Sequence, residues 1–298
     1  MSMSEQNKPK KSLGQNFLTS VGAVNKIIET AVEAAEVVPP GGPTSATSNQ
    51  TILEIGPGRG VLTEALLKKF DKVIAIEKDH ELIEPLKIKF TSEISSGRLQ
   101  IIDGDILDKS IIESLFLDAE RHLEAQLPSK RYAIVANIPY YITGQFLRQW
   151  LSADNSPKFM VLMLQKEVAE RIVAKDAKES ILSISVKAYG EPKYVETVKR
   201  GSFYPIPNVD SAILKIDKIS KNPYLSEVGP PGLKEECFFE ILKAGFAHKR
   251  KFLIKNLETK FPSKEKVQNA FKNYKTKELK NKFMDINIVP VKILLNNF

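Results

Sequence analysis

The residues of this chain that are best suited to chemistry are Asn-Ile-Pro-Tyr at 137–140, where an amide, a proline and an aromatic ring follow one another. The side-chain carbonyl of Asn137 can accept one hydrogen of an exocyclic amine. The backbone carbonyl of Ile138, whose direction the following proline restricts, could accept the other. The ring of Tyr140 offers a face on which a flat base can stack. The same four residues could also form an ordinary turn at the end of a strand.

Two acceptors at these positions would change the reactivity of an adenine amine. This amine is a poor nucleophile because its lone pair is delocalised into the ring. Acceptors in line with both N–H bonds would localise that pair and aim it at an electrophile. The sequence therefore predicts a site that works by alignment and needs no histidine or lysine as a general base.

Polar residues at three earlier strand ends predict the other half of a nucleotide site. The strand predicted at 51–55 ends in a glycine turn at 56–60, where the backbone can approach a ligand closely. The next strand ends in Glu77, whose carboxylate can accept from both ribose hydroxyls. Asp105 follows the third strand and could either accept from an adenine amine or cap a helix. Two such acids and an Asn-Pro-aromatic turn fit S-adenosylmethionine better than a nicotinamide cofactor, and the third glycine comes one residue early for a dinucleotide fingerprint.

The elements that must position these residues alternate between strands and helices. Such alternation predicts an α/β fold with a mostly parallel, Rossmann-like sheet, whose ligands bind at the carboxyl ends of the strands. We expect the last two strands to form an antiparallel edge. The predicted strands cover 51–55, 73–77, 99–103, 132–136, 159–164, 183–190 and 211–216, and the predicted helices cover 21–35, 60–69, 79–90, 110–125, 143–151 and 165–175.

The sequence divides into two predicted domains of different charge. The first covers 1–218 and includes a mobile basic arm at 1–12 and a flexible loop at 39–50 that is too rich in proline, glycine and serine to bury a core. The helical spacing of apolar residues predicts a small helical domain at 219–298. The net charge is +8, and residues 216–298 carry 17 Lys and Arg against 9 Asp and Glu, which accounts for the whole excess. We expect this second domain to bind a polyanion, most simply nucleic acid.

The composition is that of an ordinary globular protein, with 42% hydrophobic and 27% charged residues. No apolar run reaches the roughly 18 residues of a membrane span, and the polar N-terminus lacks the features of a secretory signal. A single cysteine, Cys237, excludes an internal disulfide and a cysteine-based zinc site. The three histidines have no metal-ligand spacing. We therefore expect a cytoplasmic, metal-free monomer.

Eight short motifs follow one another in a fixed order through most of the chain. They are Gly-Gln-Asn-Phe-Leu at 14–18, Glu-Ile-Gly-Pro-Gly at 54–58, Ile-Glu-Lys-Asp at 76–79, Asp-Gly-Asp at 103–105, Asn-Ile-Pro-Tyr at 137–140, Leu-Gln-Lys-Glu-Val-Ala-Glu-Arg at 164–171, Phe-Tyr-Pro-Ile-Pro-Asn-Val-Asp-Ser at 203–211 and Ala-His-Lys-Arg-Lys at 247–251. Together they resemble the ribosomal RNA adenine dimethyltransferases of the KsgA family. The resemblance implies a class I methyltransferase sheet that uses S-adenosylmethionine to dimethylate adenines of small-subunit ribosomal RNA during ribosome biogenesis.

The resemblance also assigns roles to individual residues. Asn137 and Tyr140 would handle the target adenine. Phe203 would stack on that base from the other side, unless it is only a core aromatic before a proline-rich turn. The residues implied to contact the cofactor are Asn16, Leu18, Gly56, Glu77, Asp105 and Asn137. The residues implied to bind RNA are Lys249, Arg250 and Lys251.

Two other functions stay open at this point. A large-subunit ribosomal RNA adenine methyltransferase of the antibiotic-resistance type shares the glycine turn and the Asn-Ile-Pro-Tyr motif, but the motifs at 164–171 and 203–211 favour the small subunit. A non-catalytic ribosome-assembly or RNA-binding factor could have kept the fold. Arg59 in the glycine turn and Tyr141 after the target motif depart from the usual pattern of the family. These departures bear on the exact placement of the substrate and not on the chemistry.

Overall fold

The structure is a computed structural model of the chain and describes residues 9–36, 50–116, 132–176, 178–220, 235–248 and 253–260. It divides into two compact units. The first comprises the described residues up to Ala169 together with Lys193–Ile219, and the second comprises Glu170–Pro192 and the described residues from Ser220 onward. The predicted loop at 39–50 lies outside the described residues except for Gln50. Within the described ranges, no helix has the length and apolar character needed to cross a membrane.

Strands and helices alternate through most of the chain, as the sequence predicted. The strands are β1 (Phe17–Leu18), β2 (Thr51–Ile55), β3 (Lys72–Glu77), β4 (Leu99–Asp103), β5 (Tyr132–Asn137), β6 (Met160–Gln165), β7 (Glu191–Val198), β8 (Phe203–Tyr204) and β9 (Ser211–Asp217). The helices are α1 (Val21–Glu36), α2 (Val61–Leu67), α3 (His80–Lys89), α4 (Thr91–Ser95), α5 (Lys109–Phe116), α6 (Thr143–Leu151), α7 (Lys166–Val173), α8 (Ile181–Lys187), α9 (Glu235–Phe246) and α10 (Leu253–Lys260).

Seven of these strands form one sheet in the order β4-β3-β2-β5-β6-β9-β7. The five strands from β4 to β6 pair in parallel, and β9 runs antiparallel to β6. The register places Ile55 beside both Ile76 and Ala136, so three central strands end at the same level. The parallel sheet and its antiparallel β9 confirm the predicted α/β fold. Because the carboxyl ends meet at one edge, the residues that follow them lie close together.

The central strands are buried on both faces. Every residue of β2 is buried, and the first five residues of β5 are buried as well. Helices that cover both faces of a parallel sheet require such continuous apolar runs. At one end of β5 the ring of Tyr132 packs against Trp150 of α6, with ring centroids 6.2 Å apart. This contact packs the start of β5 against α6.

The prediction of a strand at 183–190 is wrong, because residues Ile181–Lys187 form helix α8. The sequence Leu-Ser-Ile-Ser-Val alternates apolar and polar residues and so imitates a strand. However, Ser180 and Ser183 form a reciprocal capping box, which satisfies the free N–H groups at a helix start. The strand next to β9 is instead β7, which begins at Glu191.

The second unit is helical in its described part apart from the start of β7. Helix α8 packs against α9, which explains why Glu170–Pro192 groups with this unit although the sequence placed it in the first domain. Tyr189 stacks on Phe239 of α9 at 6.3 Å between ring centroids. The side-chain amide of Asn256 donates to the carbonyls of Gly245 and His248 at 2.6 and 3.1 Å, which fastens α10 to the end of α9.

Candidate functional site

A cavity opens at the carboxyl edge of the sheet, and most of the predicted site residues line it. Its walls come from the segment before α1, the glycine turn after β2, the ends of β3 and β5 and the loop after β4. The predicted residues that it brings together are Asn16, Leu18, Gly56, Glu77, Asp105, Asn137 and Tyr140. The edge of an open parallel sheet is where ligands of such folds bind.

The glycine turn after β2 lets the backbone form part of the cavity wall. Gly56 and Gly58 have φ of +65° and +58°, a left-handed conformation that other residues rarely adopt. A Cβ at Gly58 would lie 2.9 Å from the ring of Phe17, so this ring packs directly on the turn. A Cβ at Gly56 would meet no protein atom within 4 Å. The space above Gly56 is therefore available to a ligand.

Glu77, at the end of β3, presents a fixed carboxylate to the cavity. Its two oxygens accept from the backbone N–H groups of Gly58 and Asp79, at 3.0 and 2.9 Å. Burial raises the pKa of Glu77, whose side chain is only 6% exposed. Each carboxylate oxygen keeps a second lone pair. The group can therefore accept from two neighbouring hydroxyls without losing the bonds that orient it.

Asp105 lies beyond β4 on the same side of the cavity. Its carboxylate pairs with Lys78 at 2.7 Å and accepts from the N–H of Leu107 at 3.0 Å. Burial alone would raise the pKa of Asp105, but the hydrogen bonds from Lys78 and Leu107 hold it below its ordinary value. The group is therefore an ionised acceptor that also holds the turn after β4. It does not cap a helix, because α5 begins only at Lys109 and Asp108 accepts from the N–H of Ser110 there.

Asn137 is held by its amide nitrogen, which leaves its oxygen available. Nδ2 donates to the carbonyl of Asn16 at 3.1 Å, across 121 residues of sequence. No described residue donates a hydrogen bond to Oδ1. The next residue, Ile138, donates its N–H to the carbonyl of Met163 at 3.0 Å, which ties the motif to β6. The side chain thus presents an acceptor in a fixed position at the cavity.

Tyr140 is held by its hydroxyl, so its ring has a defined orientation. The hydroxyl lies 2.8 Å from the Ser211 hydroxyl at the start of β9. Burial raises the pKa of Tyr140, so the phenol stays neutral at ordinary pH. The ring lines the cavity beside Asn137. This arrangement suits a stacking surface and does not suit a proton acceptor.

Two other parts of the predicted site are not among the residues that line the cavity. Phe203 is 3% exposed and belongs to the core, where β8 pairs with β1 and Phe203 stands opposite Leu18. It is not among the residues that line the cavity, and its stacking role stays a prediction. The predicted RNA-binding residues Lys249, Arg250 and Lys251 lie outside the described residues.

One cavity residue that the sequence did not single out is Glu54. Its side chain is 1% exposed, and neither carboxylate oxygen has a hydrogen-bond partner in the described part of the chain. Burial raises the pKa of Glu54 to about 8, although the nearby Thr63 partly opposes the rise. A buried carboxyl group of this kind stays protonated unless a cation lies beside it, so a ligand with a positive charge would favour its ionised form. The signal in the sequence is one acidic residue inside the apolar run of β2.

Among the described residues, no three His, Cys, Asp or Glu side chains form a group that could hold a metal ion. The cavity instead offers a backbone turn, three carboxylates, an amide oxygen and an aromatic ring. These groups match a nucleotide that carries a positive charge. A mostly parallel sheet with an antiparallel β9 and such a cavity at its carboxyl edge defines the class I methyltransferases.

The family can be stated more closely. Residues 6–286 match the family model of the ribosomal RNA adenine dimethylases, and the chain belongs to this family. The "Ribosomal RNA small subunit methyltransferase A" of Dehalococcoides mccartyi is 42% identical over 250 residues, which are 84% of this chain and 75% of that protein. This membership confirms the enzyme class predicted from the motifs.

Two solved structures share the fold. A dimethyladenosine transferase from Plasmodium falciparum superposes with a TM-score of 0.69 at 25% identity, over 93% of this chain and 95% of that one. The 23S rRNA methyltransferase ErmE superposes with a TM-score of 0.68 at 23% identity, over 95% of this chain and 99% of that one. At 23% identity, the similarity to ErmE shows a shared fold alone.

Proposed function

We propose that this chain dimethylates the exocyclic amine of adenines in small-subunit ribosomal RNA, with S-adenosylmethionine as the methyl donor, and thereby contributes to ribosome biogenesis. The observation that carries the proposal is the fixed Oδ1 of Asn137, to which no described residue donates, at a cavity lined by Glu77 and Asp105. The name of the relative from Dehalococcoides mccartyi supports the small subunit as the target.

The cavity residues fit this cofactor by their chemistry. Glu77 has the free lone pairs to bind the ribose hydroxyls, and Asp105 is an ionised acceptor for the adenine amine. Asn16, Leu18 and Gly56 complete the wall, and the open space at Gly56 lets a ligand approach the backbone. When bound, S-adenosylmethionine would supply an electrophilic methyl group on a sulfonium, from which a neutral thioether leaves readily.

The chain's own contribution to the reaction is mainly alignment. Oδ1 of Asn137 and the carbonyl of Ile138 would accept the two hydrogens of the target amine, which localises the nitrogen lone pair. Tyr140 would stack on the base. The stacking role of Phe203 stays a prediction, because its ring lies in the core and not at the cavity wall. Near-attack positioning of this kind can supply about 7–11 kcal/mol of a barrier. No general base is needed, because the amine becomes acidic once it has taken up the methyl group.

Two further requirements concern the RNA. The target adenine must leave its stack to reach the cavity, so we expect an unpaired or loop adenine as the substrate. The second transfer requires the monomethylated amine to return with its methyl group turned aside, so the space around Asn137 must admit one additional methyl. We keep the prediction that the enzyme acts as a monomer in the cytoplasm.

The most informative test of the substrate compares separated ribosomal subunits. Purified protein is incubated with labelled S-adenosylmethionine and either small or large subunits that lack the modification, and the RNA is then digested to nucleosides. We expect labelled N6,N6-dimethyladenosine from the small subunit. Label in the large subunit alone would support the antibiotic-resistance type instead. No transfer to either subunit or to precursor RNA would favour a non-catalytic assembly factor.

Neutralising the basic segment of the second domain should weaken RNA binding in a salt-dependent way. We expect the simultaneous change of Lys249, Arg250 and Lys251 to alanine to reduce the slope of log affinity against log salt concentration. The reduction should be about one unit for each phosphate that the variant no longer neutralises. Fluorescence anisotropy with a ribosomal RNA fragment measures this slope.

A matched control for this experiment removes the same charge elsewhere. The lysines at positions 26, 68 and 87 each pair with a glutamate on a helix of the first unit; Lys68 and Lys87 are exposed and Lys26 is half-buried. Their triple alanine variant should leave the slope nearly unchanged. Equal slopes for the wild type and the 249–251 variant would show that this segment does not bind RNA phosphates.

A further inference from the structure

One wall of the cavity is made by a segment that precedes the sheet. Residues 10–18, called here the N-terminal strap, run from the end of the predicted basic arm to β1, and residues 13–18 line the cavity. The strap is fixed at its C-terminal end, where β1 pairs with β8 and the carbonyl of Asn16 accepts from Asn137. Gly14 in its middle has φ of +59°, and its backbone lies against the ring of Tyr141.

The N-terminal end of the strap is fastened mainly by the carboxylate of Asp79. Lys10 donates to Oδ1 and Gln15 donates to Oδ2 of Asp79, each at 2.6 Å. Gln15 in turn accepts from the backbone N–H of Lys10 at 2.7 Å, which closes the strap into a compact loop. The two donors lie 69 and 64 residues from Asp79 in the sequence, so these bonds are long-range contacts.

The environment of Asp79 makes these bonds strong. The residue is 4% exposed, so its charge is poorly screened by solvent. Burial alone would raise the pKa of Asp79, but the hydrogen bonds from Lys10 and Gln15 hold it below its ordinary value. Lys10 also pairs with Glu81 at 2.9 Å, yet the Glu81 side chain is 63% exposed. Exposed ion pairs contribute little, so Asp79 is the principal anchor.

The same residue touches the cofactor side of the cavity through its backbone. The N–H of Asp79 donates to Oε1 of Glu77 at 2.9 Å, which helps to hold the carboxylate assigned to the ribose. Asp79 also caps α3, because its side chain accepts from the N–H of Glu81 at 3.2 Å. The closed strap and the orientation of Glu77 therefore depend on one residue.

We propose that Asp79 is a positioning residue that latches the N-terminal strap over the cofactor cavity. The inference rests on the proposed function, because it takes S-adenosylmethionine as the occupant of the cavity. In the latched state Lys10 and Gln15 hold the strap down, so the strap must release from Asp79 for the cofactor or its product to exchange. The latch thus sets cofactor affinity and residence time, while the methyl transfer step itself depends on other residues.

The test uses the variant Asp79→Asn in the full chain. Asparagine caps helices as well as aspartate does, so α3 should stay folded. The neutral amide cannot attract Lys10 as the carboxylate does. We expect the dissociation constant of S-adenosylhomocysteine, measured by calorimetry, and the KM for S-adenosylmethionine both to rise about tenfold, while kcat at saturating cofactor changes less than about threefold.

Two further measurements separate a latch from a general structural role. Hydrogen exchange of the strap amides in the cofactor-free protein should be faster in Asp79→Asn, whereas the amides of β2 and β5 should keep their protection. In a double-mutant cycle, Lys10→Met should weaken S-adenosylhomocysteine binding as well, and the double variant should be no weaker than Asp79→Asn. The control Glu81→Gln, which removes only the exposed partner of Lys10, should bind like the wild type.

The possible outcomes distinguish the latch from the proposed function. Unchanged strap exchange, unchanged S-adenosylhomocysteine affinity or a parallel loss of kcat in Asp79→Asn would each overturn the latch, even if the wild type methylates adenine. Faster strap exchange in the free protein would support the latch even if the RNA substrate proved to be different. Absence of binding by the wild type would overturn both.

Discussion

An Asn137→Ala variant is expected to lose methyl transfer by about 10²–10³-fold, the loss seen when a preorganised polar group at a reacting centre is removed. The alanine takes away Oδ1, the fixed acceptor that aligns the target amine. Cofactor affinity should weaken only modestly, because Glu77 and Asp105 remain in place. Single-turnover transfer to small-subunit RNA and calorimetric binding of S-adenosylhomocysteine measure the two effects separately.

A second substitution separates the two ends of the Asn137 amide. Asn137→Asp keeps an acceptor at the position of Oδ1 but loses the N–H group that donates to the carbonyl of Asn16. We expect activity between that of the wild type and that of the alanine variant. Asn25→Ala, at an exposed position of α1, is the matched control and should behave as the wild type. If Asn137→Ala turned over at the wild-type rate, the Asn137 side chain would have no part in the reaction.

The second large effect is expected at Glu54, whose buried carboxylate accepts no hydrogen bond from any residue in the described ranges. In the free protein burial raises the pKa of Glu54 to about 8. A cationic cofactor stabilises the charged form, so binding below pH 8 must release a proton from Glu54. Affinity for S-adenosylmethionine should therefore increase as the pH rises from 6 to 7.5, at most tenfold per pH unit. In Glu54→Gln the affinity should be lower, and this pH dependence should disappear.

The stability of the cofactor-free protein should show the opposite sign. The folded pKa of about 8 lies above the ordinary value of 4.5. The unfolded chain therefore ionises first, and stability is lost as the pH rises from 4.5 to 8. Glu54→Gln removes this loss, so its thermal midpoint should exceed that of the wild type at pH 8 and approach it near pH 5. Equal midpoints at both pH values, together with unchanged cofactor binding, would show that Glu54 carries no buried charge.

Much of the site could be predicted because parallel strands end at one edge of a sheet. Gly56, Glu77, Asp105 and Asn137 each follow or end a predicted strand, and a parallel sheet brings such positions together whatever their distance along the chain. Predicting that residues at the ends of parallel strands lie together needs only the approximate limits of each strand. The prediction therefore holds although predicted and observed limits differ by a residue or so.

Other features depend on contacts that no local pattern reveals. The strand predicted at 183–190 overlaps the alternating run Leu-Ser-Ile-Ser-Val, and only the capping box and the packing of α8 on α9 decide for a helix. The arm predicted as mobile to residue 12 contains Lys10, whose bond to Asp79 crosses 69 residues. That no described residue donates to Glu54 depends on which groups surround it in three dimensions. The core position of Phe203 likewise follows from the pairing of β8 with β1.

A crystal structure of the protein soaked with S-adenosylmethionine would show whether the methyl donor and Asn137 meet in one cavity. We expect the ribose hydroxyls on Glu77, the adenine amine on Asp105 and the methyl carbon directed at the space in front of Oδ1 of Asn137. An amine nitrogen held there would lie about 3–3.5 Å from that carbon, the separation of a near-attack geometry. A cofactor bound elsewhere on the molecule, or a methyl group turned away from Asn137, would refute this mechanism.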